Sequence, residues 1–239
     1  MHIAEGFLPP VHAVAWTVAA APFVIHGARQ VARTVRSQPS AGPLLAAVGA
    51  FSFVMSAIKL PSVTGSSSHP TGTGLGTAIF RPPVMAFLGT IVLLFQALLL
   101  AHGGITTLGA NVFSMAIAGP WAGFAVYTVL RRSGLGVLPA VFALAFVADL
   151  VTYLVTSVQL ALAFPSAEGG FAESLAEFMG VFAVTQVPLA IVEGLVAVVI
   201  VRVLMQVAAS ELVSLGFLRR GEVPAGADDE LADTERTGV

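Results

Sequence analysis

Long apolar runs, set apart by short polar segments, constrain the fold of this chain more than any other feature. Residues 84–101, 108–130, 137–164 and 175–207 are each long enough to cross the roughly 30 Å hydrocarbon core of a bilayer. Only 10% of the 239 residues are charged, against roughly 25% in a soluble domain. We therefore predict an all-α integral membrane protein, because helices satisfy their backbone hydrogen bonds internally in lipid.

Basic residues set the predicted topology, because Lys and Arg concentrate in cytoplasmic loops. Two further apolar runs, 10–27 and 41–60, precede the four above, and Arg29, Arg33 and Arg36 lie between them. This order places the amino terminus outside. A secretory signal would carry its basic residues ahead of the apolar run. We predict an uncleaved, outward-facing terminus, with a cleaved signal as the alternative.

Residues 68–80 decide how many times the chain crosses. Hydropathy alone reads this Ser-, Thr- and Gly-rich stretch as a loop, which leaves six spans and three violations of the positive-inside rule. Counted as a short, glycine-broken third span, it brings Arg81, Arg131 and Arg219 to the cytoplasmic side. We therefore predict seven transmembrane helices. Polar backbone at membrane depth must be surrounded by protein, so the third span is expected inside the bundle, where a ligand site belongs.

The charge distribution suggests two regions. Residues 221–239 hold six acidic residues and one basic residue, so the rest of the chain is slightly basic. We assign residues 1–210 to one transmembrane domain. Residues 211–239 are expected to form a cytoplasmic acidic tail, disordered because Gly, Ala, Asp and Glu dominate it.

Several kinds of chemistry are excluded by what the sequence lacks. It has no cysteine, so disulfides and thiolate metal sites are ruled out. No two of its five histidines are four residues apart, and no phosphate-binding ATPase motif occurs. The serines of residues 66–68 lack the spacing of a nucleophile elbow. We expect neither an enzyme nor a nucleic-acid partner.

The first two residues offer an unusual set of nitrogen ligands. The Met1 amine, the His2 backbone nitrogen and His2 Nδ1 can wrap one ion in adjoining five- and six-membered rings, with three nitrogens in one plane. Square-planar nitrogen coordination suits Ni(II) or Cu(II), and low-spin Co(II) also adopts it. His69, at the outer end of the third span, is the best candidate for the fourth ligand. On the residues alone, a metal site and ordinary polar roles both stay open.

The remaining polar residues of the predicted spans have less specific interpretations. His12 is a candidate for supporting the metal ligands or for packing, and His26 is an interfacial residue. His102 is a turn residue, with the access route as an alternative. Asp149 and Glu193 lie mid-span, where a bare charge is costly, and we expect hydrogen bonding between helices rather than a metal pathway. The same interpretation applies to Gln96, Asn111, Gln159 and Gln186.

Four stretches of the chain resemble the CbiM/NikM family. They are residues 1–8 (MHIAEGFL), 66–76 (SSSHPTGTGLG), 95–120 (FQALLLAHGGITTLGANVFSMAIAGP) and 185–195 (TQVPLAIVEGL). The similarity extends to about residue 210. Cobalt members often have Ser-Cys-Ser-His where this chain has Ser66-Ser67-Ser68-His69, a departure that does not affect the family's metal ligands.

The resemblance implies the substrate-binding (S) component of an energy-coupling factor (ECF) transporter for divalent cobalt or nickel. Carried over by position, the metal ligands are Met1, His2 and His69 in a square-planar site of four nitrogens. The implied partners are a transmembrane coupling subunit, ATP-hydrolysing subunits and a small CbiN- or NikN-like membrane subunit, in the inner membrane of a prokaryotic cell. Cobalt would serve cobalamin synthesis. The alternatives are a nickel-specific component and, from another class, a stand-alone metal channel or secondary transporter.

Overall fold

The computed structural model describes residues 1–61 and 66–224, and these are almost entirely helical. The elements in chain order are β1 (His2–Ile3), α1 (Pro10–Ser37), α2 (Ala41–Ala57), β2 (Leu60–Pro61), β3 (Ser66–Ser68), α3 (Thr73–Leu100), α4 (Leu108–Asn111), a π-helical segment (Val112–Ala118), α5 (Gly119–Arg132), α6 (Val137–Ala163), α7 (Gly170–Val207), α8 (Ala209–Ser214) and a 3-10 turn (Arg220–Glu222). Within the described residues, five helices are long and apolar enough to cross a membrane. The prediction of an all-α, multi-pass membrane protein is confirmed.

The predicted third span forms the first part of α3. Gly72 adopts a left-handed conformation with φ 66°, and the helix that follows breaks at Arg81, where φ is 70° and ψ is 161°. Residues 73–80 rise about 12 Å as a helix, and residues 68–72, if extended, add about 16 Å. Every residue from Ser68 to Phe80 is buried. This short, glycine-broken crossing lies inside the bundle, as polar backbone at membrane depth requires.

Contacts at the two ends of the bundle agree with seven crossings. At one end Gln38 donates a hydrogen bond to the Ser214 carbonyl (3.2 Å), and Arg131 pairs with Glu222 (2.6 Å). At the opposite end Gly6 donates to Thr106 (2.9 Å). The first end carries the clustered arginines, so the positive-inside rule assigns it to the cytoplasm.

Helix boundaries differ from the predictions mainly after the first span. The first predicted span ends at residue 27, yet α1 continues to Ser37 and includes all three arginines. Ala, Arg and Gln are strong helix formers, and arginines near a helix carboxyl end interact favourably with its dipole. The second span ends at Ala57 rather than at residue 60, because the chain then turns into β2.

A three-stranded antiparallel sheet at the outer end was not predicted. The strand order is β1-β3-β2, with His2 opposite Ser67 and Leu60 opposite Ser68. Strands of two or three residues carry too little alternation to be recognised in the sequence. The sheet ties the amino terminus to the segment that leads into the third span.

The chain after α7 packs against the cytoplasmic end of the bundle. Leu212, Phe217 and Leu218 are buried in the same hydrophobic core as Leu144 of α6. Residues 225–239 lie outside the described residues, so the disordered acidic tail stays a prediction there.

Candidate metal centre

The sheet places two histidines side by side at the outer end of the bundle. His2 lies in β1, and His69 directly follows β3. Their imidazole rings stack with centroids 4.2 Å apart and planes inclined by 26°. Both residues are almost fully buried, so their imidazoles face a shared interior site rather than solvent.

The segment that carries His69 is fixed by polar contacts from α7. Gln186 donates a hydrogen bond to the His69 carbonyl (3.0 Å), and Thr185 donates to Ser68 (2.9 Å). Two residues further along, Glu193 accepts hydrogen bonds from the Thr71 hydroxyl (2.8 Å) and from the Thr71 amide. The bonds to the His69 carbonyl and from the Thr71 amide satisfy irregular backbone that has no helical partners of its own.

The amino-terminal strand is held by polar groups of the α3–α4 loop and α4. The Ile3 amide donates to Asn111 Oδ1 (2.8 Å), and Asn111 Nδ2 donates to the Ile3 carbonyl (3.0 Å). Thr107 also donates to that carbonyl (2.9 Å). The Met1 and Ile3 side chains are fully buried in a cluster with Leu160 of α6, and each such burial is worth about 1.5–3 kcal/mol.

A third histidine reaches the site from the loop between α3 and α4. Nε2 of His102 lies 3.0 Å from His2 Nδ1 and 2.9 Å from Ser67 Oγ. Gly103 follows with φ 76°, and an added Cβ there would meet His2 Cδ2 at 3.3 Å. An added Cβ at Gly104 would clash with the Glu5 backbone. The Gly-Gly pair therefore lets this loop lie directly against the amino terminus.

The three imidazoles form a potential metal-binding cluster. One ring nitrogen from each of His2, His69 and His102 lies within 4.8 Å of the other two. Among the described residues, His2 Nε2, His69 Nε2 and His102 Nδ1 have no hydrogen-bond partner. His69 Nδ1, by contrast, lies 2.8 Å from the Pro70 carbonyl. A bond of this kind orients a ring so that Nε2 can act as the ligand.

Burial favours the unprotonated forms of the nitrogens at this site. It lowers the pKa of the Met1 amine to about 5, even though Asp149 and Glu193 act in the opposite direction. Burial also lowers the pKa of His102 to about 4, and it places that of His2 well below the ordinary value for imidazole. Neutral amine and imidazole are the forms that bind metal ions.

Two buried carboxylates lie beneath the site. Gln186 bridges Asp149 of α6 (2.7 Å) and the His69 carbonyl, while Glu193 of α7 accepts the bonds from Thr71. Both acidic side chains thus form hydrogen bonds to other elements of the fold, as expected. Both also act electrostatically on the Met1 amine. In their ionised forms, these groups would compensate part of the charge of a cation bound among neutral nitrogens.

Of the three other histidines, the structure brings only His102 to the site. His12 is partly exposed on α1, and His26 is exposed and contacts Gln30 (3.4 Å); the structure brings neither to the site. The sequence indicates a turn residue at His102, because a histidine before Gly-Gly is typical of turns. The structure instead places its imidazole beside that of His2. The resemblance of the long stretch around it to a metal-transport family was the one available signal.

The fold and the site define a polytopic membrane protein with a buried cluster of three histidines at its outer end. A family model described as "Cobalt uptake substrate-specific transmembrane region" matches residues 2–211. The chain is therefore a member of the CbiM family. This confirms the predicted family and cellular location, and the comparisons also bear out the expectation of a transport protein rather than an enzyme.

Individual relatives agree with the family match. The cobalt transport protein CbiM of Streptomyces coelicolor is 65% identical over 93% of this chain and 97% of its own length. That of Propionibacterium freudenreichii is 55% identical over 90% and 92%. A crystal structure of a truncated transition metal transporter superposes with a TM-score of 0.75 at 27% identity, covering 86% of this chain and 98% of that one.

Proposed function

We propose that this chain binds divalent cobalt on the outer side of the membrane as the substrate-binding subunit of an ECF-type importer. The observation that carries the proposal is the stacking of buried His2 against buried His69 beside a buried amino terminus. Relatives that are named cobalt transport proteins support cobalt as the substrate. The cobalt would serve cobalamin synthesis.

The ion would be held by four nitrogens in one plane. With Met1 as the first residue, its amine, the His2 backbone nitrogen and His2 Nδ1 supply three of them, and His69 supplies the fourth. Planar nitrogen coordination excludes ions that demand other geometries. The bond between His2 Nδ1 and His102 must open when this site forms, because that nitrogen is then occupied by the metal.

Charge balance supports a dication at this position. The amine and the imidazoles are neutral ligands, and the His2 amide must lose its proton to bind. Asp149 and Glu193 lie close enough to influence the amine. They reduce the cost of burying the remaining positive charge in a low-dielectric interior.

Transport itself would depend on other subunits. The sequence contains no phosphate-binding ATPase motif, so energy must come from partners. We assign these to a transmembrane coupling subunit, ATP-hydrolysing subunits and a small companion membrane subunit. ATP hydrolysis on the partners would open the occluded site toward the cytoplasm.

Uptake measurements test this function against its alternatives. We expect radioactive cobalt to accumulate in cells that express the chain with its coupling and ATPase subunits, and no accumulation when the ATPase is inactivated. ATP-independent uptake by the purified chain in liposomes would instead establish a channel or secondary transporter. Uptake of nickel in preference to cobalt in the complete system would establish the nickel-specific alternative.

A further inference from the structure

His102 contacts the site but has no place in the planar chelate. The four positions of that plane are filled by Met1, His2 and His69, yet His102 Nε2 lies 3.0 Å from His2 Nδ1. The ring centroid of His102 is 4.4 Å from that of His2 and 4.9 Å from that of His69. A third imidazole in mutual contact with two metal ligands points to a second mode of coordination.

We propose that His2, His69 and His102 form a loading site, which takes a divalent transition-metal ion through three imidazoles before the amino-terminal chelate closes around it. This inference deepens the function proposed above and rests on it. Three neutral imidazoles with one open vertex suit a tetrahedral ion, and they bind without removing a backbone proton. The planar chelate, in contrast, forms only after the His2 amide is deprotonated.

The distances allow this mode after a small rearrangement. A tetrahedral ion with metal–nitrogen bonds of about 2.0–2.1 Å places its ligand nitrogens roughly 3.3 Å apart. The pair formed by His2 and His102 is already at 3.0 Å, and all three nitrogens lie within 4.8 Å. A movement of the His69 ring by up to about 1.5 Å closes the set, which a change in its side-chain torsions can supply.

The loop around His102 lies between the site and the outer surface. Ala101 is exposed and has φ 46°, a left-handed conformation that is costly for a residue with a side chain. Ile105 and Thr106 of the same loop are exposed as well, whereas His102 itself is buried. The strained turn therefore directs one imidazole from the surface loop into the pocket, on the side from which an ion arrives.

Transfer from the loading site to the chelate is a ligand exchange with a simple balance. The ion keeps His2 Nδ1 and the His69 imidazole, releases His102, and gains the Met1 amine and the His2 backbone nitrogen. One proton leaves, that of the His2 amide, and it passes to water. The ion remains within one pocket throughout, since both modes share His2 and His69.

The test uses ions that separate the two modes. Zn(II) has no preference for planar coordination and is commonly held by four tetrahedral ligands, so it reports the three-imidazole mode. Ni(II) favours the planar nitrogen set. We would titrate each ion into protein with the native terminus, into a His102→Asn variant, and into a variant extended by one alanine before Met1. His26→Asn, on an exposed part of α1, is the matched histidine control.

In protein with the native terminus, His102→Asn is expected to weaken Zn(II) binding by at least about tenfold, the lower limit for losing even a supporting group of a metal site. Equilibrium Ni(II) affinity should change little, while stopped-flow association of Ni(II) slows. The alanine extension should abolish tight Ni(II) binding and retain Zn(II) binding. His26→Asn should alter none of these values.

Two results would overturn the loading site: Zn(II) affinity unchanged by His102→Asn, or Ni(II) association unchanged by it. The Zn(II) titration of His102→Asn uses an unchanged amino terminus, so it remains decisive if the alanine extension disturbs folding. Tight Ni(II) binding that survives the extension would instead reject the amino-terminal chelate. The two proposals can therefore fail separately.

Discussion

The imidazoles of His2 and His69 lie face to face, with ring centroids 4.2 Å apart, although the two residues are far apart in the sequence. The pairing of β1 with β3 creates this contact, and bonds from Asn111 and Gln186 hold its two sides. The amino terminus is therefore part of the packed interior and not a mobile end, which is what a ligand set that includes a terminal amine requires.

Removal of His69 should weaken metal binding strongly. His69→Ala takes away one of four ligands, and the loss of a supporting group alone costs about 10–100-fold, so we expect a loss of at least about 100-fold in Co(II) affinity. Isothermal titration of protein with a native terminus measures it, with His26→Ala as the control. Unchanged affinity would remove His69 from the ligand set.

Asn111 should affect metal binding without touching the metal. Asn111→Ala removes the acceptor of the buried Ile3 amide, at about 1–3 kcal/mol for the unsatisfied group, and one of two donors to the Ile3 carbonyl, which Thr107 still satisfies. The amino-terminal strand then docks less firmly, and we expect Co(II) affinity to fall by about tenfold or more. Thr128→Ala, which removes only a bond within α5, is the control. Equal affinities for the two variants would contradict this positioning role.

Acid should destabilise the metal-free protein in a defined range. The Met1 amine has a pKa of about 5 in the fold, against an ordinary value of 8.0, so the unfolded chain binds more protons between these values. Stability is then complete above about pH 8, decreases as the pH falls to about 5, and loses nothing further from this group below that. The lowered pKa values of His2 and His102 act in the same direction.

Thermal unfolding in detergent at pH 8, 7, 6 and 5 checks this prediction. The midpoint should fall by several degrees across the series. A protein extended by one alanine should show a smaller decrease, because its amine no longer occupies the buried position. An equal decrease in the native and the extended protein would contradict burial of the neutral amine.

The seven crossings can be tested by labelling, because the chain contains no cysteine of its own. Ser133 and Glu168 are exposed at opposite ends of the bundle. In oriented cells, Ser133→Cys should react with a membrane-impermeant maleimide only after permeabilisation, and Glu168→Cys should react without it. Reaction of Ser133→Cys from outside would support six spans and reject the membrane-crossing role of residues 68–80.

The sequence predicted the global fold well, because apolar length and the positions of the arginines carry that information directly. It predicted the buried third span only through topology, since the hydropathy of residues 68–80 alone indicates a loop. The sheet that joins β1 to β3 was missed, because such short strands owe their existence to tertiary contacts. His102 was missed as a member of the site for a related reason. Its approach depends on the Gly103 and Gly104 backbone, which no local pattern reveals.

The most direct test of the central claim is a titration of Co(II) into two purified proteins, both tagged only at the carboxyl end. One begins at Met1, and the other carries an alanine before it. The amino-terminal chelate predicts tight binding of one ion per chain in the first protein and loss of tight binding in the second. Equally tight binding of Co(II) by both proteins would show that the Met1 amine is not a ligand, and would contradict the account.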